Sequence, residues 1–152
     1  MIREFVEAWD ANKNVLEEHF KTHDMEQYSE YSTLVRLLFN LVINPYLTDN
    51  GQTVFALDIA GVDDGDYQGT QLFILHRDTY QPDISDYVVT HQYYGSCSGC
   101  DTLMAIHDCT EGLPSEHQLK EYMMLCLHLL QRCKYLYTEE EHSNEIINEC
   151  NE

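Results

Sequence analysis

The sequence predicts an α+β fold: a small antiparallel sheet of three strands packed with four to five helices. Three observations lead to this class. Apolar residues recur at helical spacing in both terminal parts of the chain, and they alternate at strand spacing in the middle. The strand-like segments also follow one another through loops, without an intervening helix. Antiparallel strands can be joined by short loops, so this order favours a meander.

Two helical segments are predicted before the sheet. One apolar face, interrupted by Lys13, indicates one helix or two short ones and consists of Ile2, Phe5, Val6, Trp9, Leu16 and Phe20. A capping box formed by Asp24 and Gln27 predicts the start of the next helix. The apolar face of that helix consists of Tyr28, Tyr31, Leu34, Val35, Leu38 and Val42. Asn44-Pro45 predicts its end, because the helical conformation is disfavoured for a residue that precedes proline.

Residues 53–59, 72–75 and 87–94 predict the three strands, since β-branched, aromatic and aliphatic residues dominate them. Asn50-Gly51 predicts a turn before the first strand. The acidic stretch Asp63-Asp64-Gly65-Asp66 predicts a loop between the first and second strands. Residues 82–86 link the second strand to the third.

A long and largely buried helix is predicted after the sheet. Ser115 and Gln118 form a third capping box at its start. Its apolar stripe consists of Leu119, Tyr122, Met123, Cys126, Leu130 and Cys133, widened by Leu125, Leu127 and Leu129. We expect residues 1–138 to form a single globular domain. Residues 139–152 contain six glutamates and no base, and predict an acidic tail or a frayed helix.

The charge of the chain excludes some partners and favours others. Its formal net charge is −19, and residues 37–119 contain twelve acidic residues and one base, Arg77. Such a chain repels nucleic acid and anionic membranes, and it attracts basic protein surfaces, including nucleic-acid-binding faces. The candidate acidic contacts are Asp63, Asp64, Asp66, Asp83 and Asp86.

The expected location is the cytoplasm. The first residues contain no apolar segment typical of a signal peptide, and no apolar run is long enough to span a bilayer. The six cysteines are then expected to be reduced, unless one pair is catalytic.

The most informative segment is 87–107, which predicts a strand, a turn at Gly95, the pair Cys97-Ser98-Gly99-Cys100 and a helix. Ser98 and Asp101 form a capping box, with Ser96 as the alternative N-cap. Both thiols are thus expected beside a helix N-terminus, where a thiolate is stabilised.

Three chemistries are considered for the cysteine pair. The first is dithiol redox chemistry, because thioredoxin-like proteins also place C-x-x-C between a strand and a helix. Against it, the preceding strands are predicted to be antiparallel, and no proline suits the cis position typical of that fold. The second is nucleophilic catalysis by Cys97 with His91 or His107.

Tyr93 and Tyr94, beside the motif, are candidate anchors for contact with a partner protein.

The third chemistry is metal binding by Cys97, Cys100, His107 and Cys109. A helix over 99–108 would separate Cys100 from His107 by about 10 Å, at about 1.5 Å of rise per residue. One tetrahedral ion cannot easily bridge that separation. We therefore expect no metal and no cofactor, and the cysteine pair is then a reduced strand-to-helix junction.

The segment YGSCSGCDTL at 94–103, with DYQGT at 66–70, resembles small uncharacterised proteins of phages and prophages. The resemblance covers residues 64–106 and implies a phage origin, and hence the cytoplasm of a host cell. By analogy with small, very acidic phage proteins, which often look like inhibitors, the resemblance implies a protein that occupies a nucleic-acid site on a host defence or transcription protein.

The leading prediction is therefore a non-enzymatic inhibitor or nucleic-acid mimic that binds a basic host protein. The alternative is a thiol-dependent protein that uses Cys97 and Cys100 for redox chemistry or metal binding. Direct binding of nucleic acid or membrane is not expected.

Overall fold

The first apolar face forms one unbroken helix, α1, at Arg3–Thr22. The structure, a computed structural model, describes residues 1–137, and the predicted acidic tail at 139–152 lies outside them. The residues that α1 buries are Phe5, Ala8, Trp9, Leu16 and Phe20. The predicted face is thus confirmed, apart from Ile2 and Val6, which are half-buried.

The second predicted helix is divided into a 3₁₀ turn (Met25–Tyr28), helix α2 (Tyr31–Leu38), a π-helix (Phe39–Ile43) and helix α3 (Asn44–Asp49). The predicted end at Asn44-Pro45 is wrong. The Asn44 N–H donates to the carbonyl of Phe39, five residues back, so the helix widens just before the proline. Pro45 then lies in the first turn of α3, where its missing N–H costs little. The Asp24 side chain makes no capping bond, so that predicted box is also wrong.

The sheet has four antiparallel strands in the order β1-β2-β3-β4, not three. Their bounds are Ala60–Asp63, Gly69–His76, Tyr87–Tyr94 and Lys134–Tyr135. The antiparallel meander and the strand at 87–94 are confirmed. Strand β4, only two residues long, pairs with Val88 and Val89 after the last helix.

The predicted strand at 53–59 is wrong, because β1 begins only at Ala60. Within 53–59, Phe55 makes an isolated bridge to Arg77. Its N–H donates to the side-chain oxygen of Asn44, and its carbonyl accepts from the Asn44 amide, at 2.9 and 3.0 Å. The Phe55 ring packs edge-on against Phe5 and Phe39. Packing against the helices therefore produces the apolar alternation there.

Two helices follow β3: α4 at Thr102–His107 and α5 at Glu116–Gln131. The capping box of Ser115 and Gln118 is confirmed. Helix α5 is central, as predicted, because it packs against α1, α2, α4 and β3. Thr90 on the inner face of the sheet donates to the Leu129 carbonyl at 2.7 Å and ties β3 to α5.

The register of β2 and β3 separates two groups of loops. Gly69 is opposite Tyr94, so the β1–β2 turn lies beside the end of β3. His76 is opposite Tyr87, so the loop 77–86 lies at the other end, about 23 Å away at about 3.3 Å per residue. None of the helices within residues 1–137 has the length and apolarity needed to cross a membrane.

Candidate binding cleft and dithiol at the acidic end

The acidic end of the sheet, which we define as residues 63–68 and 93–101, contains most of the predicted site. It consists of the β1–β2 turn, the end of β3 and the loop that leads to α4. The pairing of Gly69 with Tyr94 brings these segments together, although about thirty residues separate them in sequence. Seven candidate thiol-site residues and three of the five candidate acidic contacts lie here.

Asp101 is a buried carboxylate, 6% exposed, that organises this end. Its Oδ1 accepts from the Tyr31 hydroxyl at 2.9 Å and from the Met104 N–H at 3.0 Å. Its Oδ2 accepts from the Gly95 N–H at 3.0 Å. Asp101 is therefore the N-cap of α4, and the predicted N-cap at Ser98 or Ser96 is wrong. The cysteines precede the helix by a turn, and Ser96 and Ser98 are exposed in that turn.

Gly95 is required where the strand becomes the loop. A Cβ atom added to it would lie 2.5 Å from both the Sγ and the carbonyl oxygen of Cys100. The loop closes tightly because the N–H groups of Cys100 and Asp101 both donate to the carbonyl of Cys97, at 3.0 and 2.9 Å.

The two thiols of the loop are exposed and in contact. The Sγ atoms of Cys97 and Cys100 are 3.1 Å apart, and neither is in a disulfide. Hydrogen bonds from the Cys97 thiol and from backbone N–H groups, including that of Cys97 at 3.3 Å, lower the pKa of Cys100 from its usual 9.0. By contrast, burial raises the pKa of Cys126 and Cys133 to about 12, so those thiols are inert at neutral pH.

The four-residue metal set is not brought together. Within residues 1–137, no group of three or more His, Cys, Asp or Glu residues could hold a metal ion. The thiols of Cys97 and Cys100 would supply only two of the four ligands that a tetrahedral zinc site needs. His107 instead packs edge-on against Tyr122, with ring centroids 6.0 Å apart, and Cys109 is exposed after the end of α4.

A histidine-activated nucleophile is not formed either. No hydrogen bond joins Cys97 to His91 or His107 in the described part of the chain. Burial is the main cause that lowers the pKa of both histidines, which makes each of them a weaker base.

Hydrogen bonds fix the carboxylates of the β1–β2 turn. The Tyr94 hydroxyl lies 2.6 Å from both Asp63 Oδ1 and the Gly65 carbonyl. The hydrogen bond between Asp63 and Tyr94 lowers the pKa of Asp63. The same bond is the main reason that the pKa of Tyr94 is raised to about 12. Asp64 Oδ1 accepts from the Thr70 N–H at 2.6 Å.

Three side chains of the acidic end extend into solvent. Asp66 is exposed, and Tyr67 and Tyr93 are 82% and 48% exposed. The other two candidate acidic contacts, Asp83 and Asp86, cap a 3₁₀ turn at the opposite end of the sheet. The five predicted carboxylates therefore do not form one surface.

A cleft of about 580 Å³ opens beside the turn, between the sheet, α2 and α4. We call it the acidic cleft. Its lining includes Glu30, Tyr31, Tyr94, Asp101, Met104 and His107. Among the described residues that line it, there is no lysine or arginine. Sequence reasoning missed the cleft, because Tyr31 and Asp101 are 70 residues apart. In the sequence, Tyr31 belongs to the apolar face of a helix and therefore indicates only a core residue.

The structure thus brings together Cys97, Cys100, Asp101, Tyr94 and the carboxylates of residues 63–66, but not His91, Cys109, Asp83 or Asp86. The chain matches no protein-family model, no curated protein and no solved structure. Its function is therefore inferred from the geometry of the acidic end.

Proposed function

We propose that this chain is a small acidic phage-type protein that binds a basic host protein and blocks its nucleic-acid-binding face. The observation that supports this proposal is the acidic end, where Tyr94 contacts Asp63 of the turn and also lines a cleft that has no lysine or arginine in its lining. A basic segment of the partner would lie across the β1–β2 turn and insert one side chain into the acidic cleft.

The acidic end and the acidic cleft together have the chemistry that such a partner requires. Glu30 at the rim of the cleft is exposed and supplies a carboxylate, while Tyr31 and Tyr94 supply aromatic rings. An arginine or lysine gains from both, through a charge pair and a cation–π contact. Hydrogen bonds hold Asp63 and Asp64 in place, so little conformational entropy is lost on binding.

Within residues 1–137, no lysine or arginine forms an ion pair with a carboxylate of this end. Arg77 is half-buried just after β2, at the opposite end of the sheet, where its guanidinium lies 4.3 Å from the centre of the Phe55 ring and donates to the Tyr135 hydroxyl. Arg132 donates to Gln92 at 2.5 Å. Three of the four lysines lie on α1 and α5. The negative potential of the acidic end is thus available to steer a basic partner.

The test is affinity capture from a nuclease-treated bacterial lysate, with the captured protein identified by mass spectrometry. The tagged wild type is compared with Asp66→Lys/Tyr67→Ala and with Asp78→Lys, an exposed charge reversal at the opposite end of the sheet. We expect wild type and Asp78→Lys to capture the same basic protein, and the acidic-end variant to lose it. The captured protein should also release bound nucleic acid when wild type is added. Equal capture by both variants would overturn the proposal.

The 3.1 Å contact between Cys97 and Cys100 favours a second candidate function, thiol–disulfide exchange. The Cys100 thiolate would attack one sulfur of a substrate disulfide and displace the other as a thiolate, which takes up a proton. Cys97, after losing its proton, would attack Cys100 Sγ and release the second substrate thiol. The substrate disulfide is thereby reduced, and the Cys97–Cys100 pair is oxidised.

Glutathione disulfide is a direct probe of this second candidate. Wild type and Cys109→Ser should each lose two hydrogen atoms in mass and release two molecules of glutathione per chain. Cys97→Ser should stop at a glutathione adduct on Cys100, and Cys100→Ser should react more slowly than wild type. A wild type that accumulates only adducts, or does not react, would exclude the exchange function.

A further inference from the structure

The groove between α1 and α5 combines an apolar floor with a basic rim. Its volume is about 790 Å³, and it shares no lining residue with the acidic cleft. Trp9, Leu119, Met123 and Leu127 form the floor, and Lys13, Lys21 and Lys120 form the rim. We call it the lysine groove.

The charge of this groove contrasts with that of the whole chain. The sequence contains four lysines and has a net charge of −19, yet three of the four lysines line this one groove. Lys21 pairs with Glu17 at 3.2 Å, an exposed i,i+4 pair that contributes little. Within the described residues, Lys13 and Lys120 have no carboxylate partner, and both are exposed. The other carboxylate of the lining, Glu116, is at the start of α5.

We propose that the lysine groove binds an acidic amphipathic helix of a partner protein. Lys13 and Lys21 are eight residues apart on α1, which is about 12 Å along the helix axis, and Lys120 projects from the facing helix. The single carboxylate of a fatty acid could pair with only one of them. A series of carboxylates along a helix can pair with all three, while its apolar face contacts the floor.

The apolar lining of the groove suits a helical ligand. Met123 and Met124 are unbranched and polarisable, and such side chains adapt to an incoming apolar face. Met124 is 59% exposed and Trp9 is 8% exposed, so the groove has both an adaptable edge and a rigid base. This inference does not depend on the function proposed for the acidic end.

Trp9, the single tryptophan of the chain, reports on the groove by its fluorescence. The probe is a synthetic tryptophan-free helical peptide with leucines at i, i+3, i+4 and i+7 and glutamates on the flanking positions. A scrambled peptide of the same composition is the control probe. We expect saturable binding of the periodic peptide, a shift in Trp9 emission and no binding of the scrambled peptide.

The protein variants locate the interaction. Lys13→Glu/Lys120→Glu should weaken binding at least about tenfold, because attraction becomes repulsion. Lys134→Glu, which reverses the one lysine outside the groove, should bind like wild type. If the double charge reversal does not fold, Lys13→Gln/Lys120→Gln replaces it in the test. This variant removes the two positive charges without adding negative ones, and it should also weaken binding of the peptide.

Four results would overturn the proposal. Scrambled and periodic peptides could bind equally, or the groove variants could bind like Lys134→Glu. Oleate could produce the saturable Trp9 shift when the peptide does not, which would identify a fatty-acid site. Sedimentation could show a dimer that the groove variants abolish, which would make a second copy of this chain the occupant.

Discussion

Asp101 connects three segments that are far apart in sequence: the end of β3, the start of α4 and helix α2. A buried carboxylate with three donors is stabilising only while those donors remain bonded. Asp101→Ala should lower the free energy of unfolding by about 3 kcal/mol, from the lost N-cap and the orphaned N–H groups. Urea denaturation measures this. Asp66→Ala removes the same charge from an exposed site and should change stability by less than about 0.5 kcal/mol. Similar losses in the two variants would contradict the role of Asp101.

His107 links stability to pH. Its Nε2 is buried without a hydrogen-bond partner, and burial lowers its pKa from the usual 6.5. Between the folded pKa and pH 6.5 the unfolded chain binds a proton that the folded chain does not. The stability that this group contributes above pH 6.5 is therefore lost as pH falls through the folded pKa. The lowered pKa values of His19 and His91 act in the same direction.

We therefore expect the melting temperature to fall as pH decreases below about 6.5, and His107→Gln to reduce that slope. His117→Gln, at an exposed position, is the control and should retain the wild-type slope. Thermal melts at several pH values measure this dependence. An unchanged slope in His107→Gln would show that His107 is not the group responsible.

Single residues were only partly predictable from the sequence. The C-x-x-C pair and the adjacent Asp101 were predicted as candidates because they are neighbours in the chain. The role of Asp101 could not be predicted. A capping box relates residues three apart, whereas the Tyr31 hydroxyl that bonds to Asp101 is 70 residues away in the sequence. Glu30 and the lysine groove were missed for the same reason. Lys13, which interrupts an apolar stripe, was the one local signal of the groove.

At the scale of elements, one side chain substitutes for a strand partner. The Asn44 amide makes both backbone hydrogen bonds of Phe55 and thereby fixes the segment before β1 to the helices. Asn44→Ala should lower the free energy of unfolding by about 2 kcal/mol, because two part-buried backbone groups lose their partner. Asn40→Ala is the matched control, since Asn40 lies exposed in the π-helix that leads to Asn44. Chemical denaturation in parallel compares the two, and an equal effect would contradict this role of Asn44.

Elements with a strong periodic pattern were predicted well. Strand β3 and helix α5 were placed within a residue or two, because their alternation or stripe coincides with a buried face. Residues 53–59 alternate as well, but packing of Phe55 between two aromatic rings produces the same pattern. Strand β4 has too few residues to give a signal, and its pairing depends on where α5 delivers the chain. Pro45 predicts a helix end, and the π turn that avoids this end cannot be anticipated from local sequence.

At the level of the whole molecule, charged residues of opposite sign lie on two separate surfaces, the acidic end and the lysine groove. Composition predicted a basic partner, but it could not show that the carboxylates of residues 63–66 and those of residues 83–86 lie at opposite ends of the sheet. Nor could it show that most lysines gather between α1 and α5. These placements depend on strand register and helix packing, which a single sequence does not specify.

If the acidic end binds a basic partner, the dissociation constant of the complex must depend on salt. The constant for the captured partner is measured from about 0.05 to about 0.5 M NaCl for wild type, Asp66→Lys/Tyr67→Ala and Asp78→Lys. We expect the affinity of wild type and of Asp78→Lys for the partner to fall at least about tenfold over this range. The acidic-end variant should bind weakly at every salt concentration. A dissociation constant that is independent of salt, or one that is the same in all three proteins, would contradict the claim.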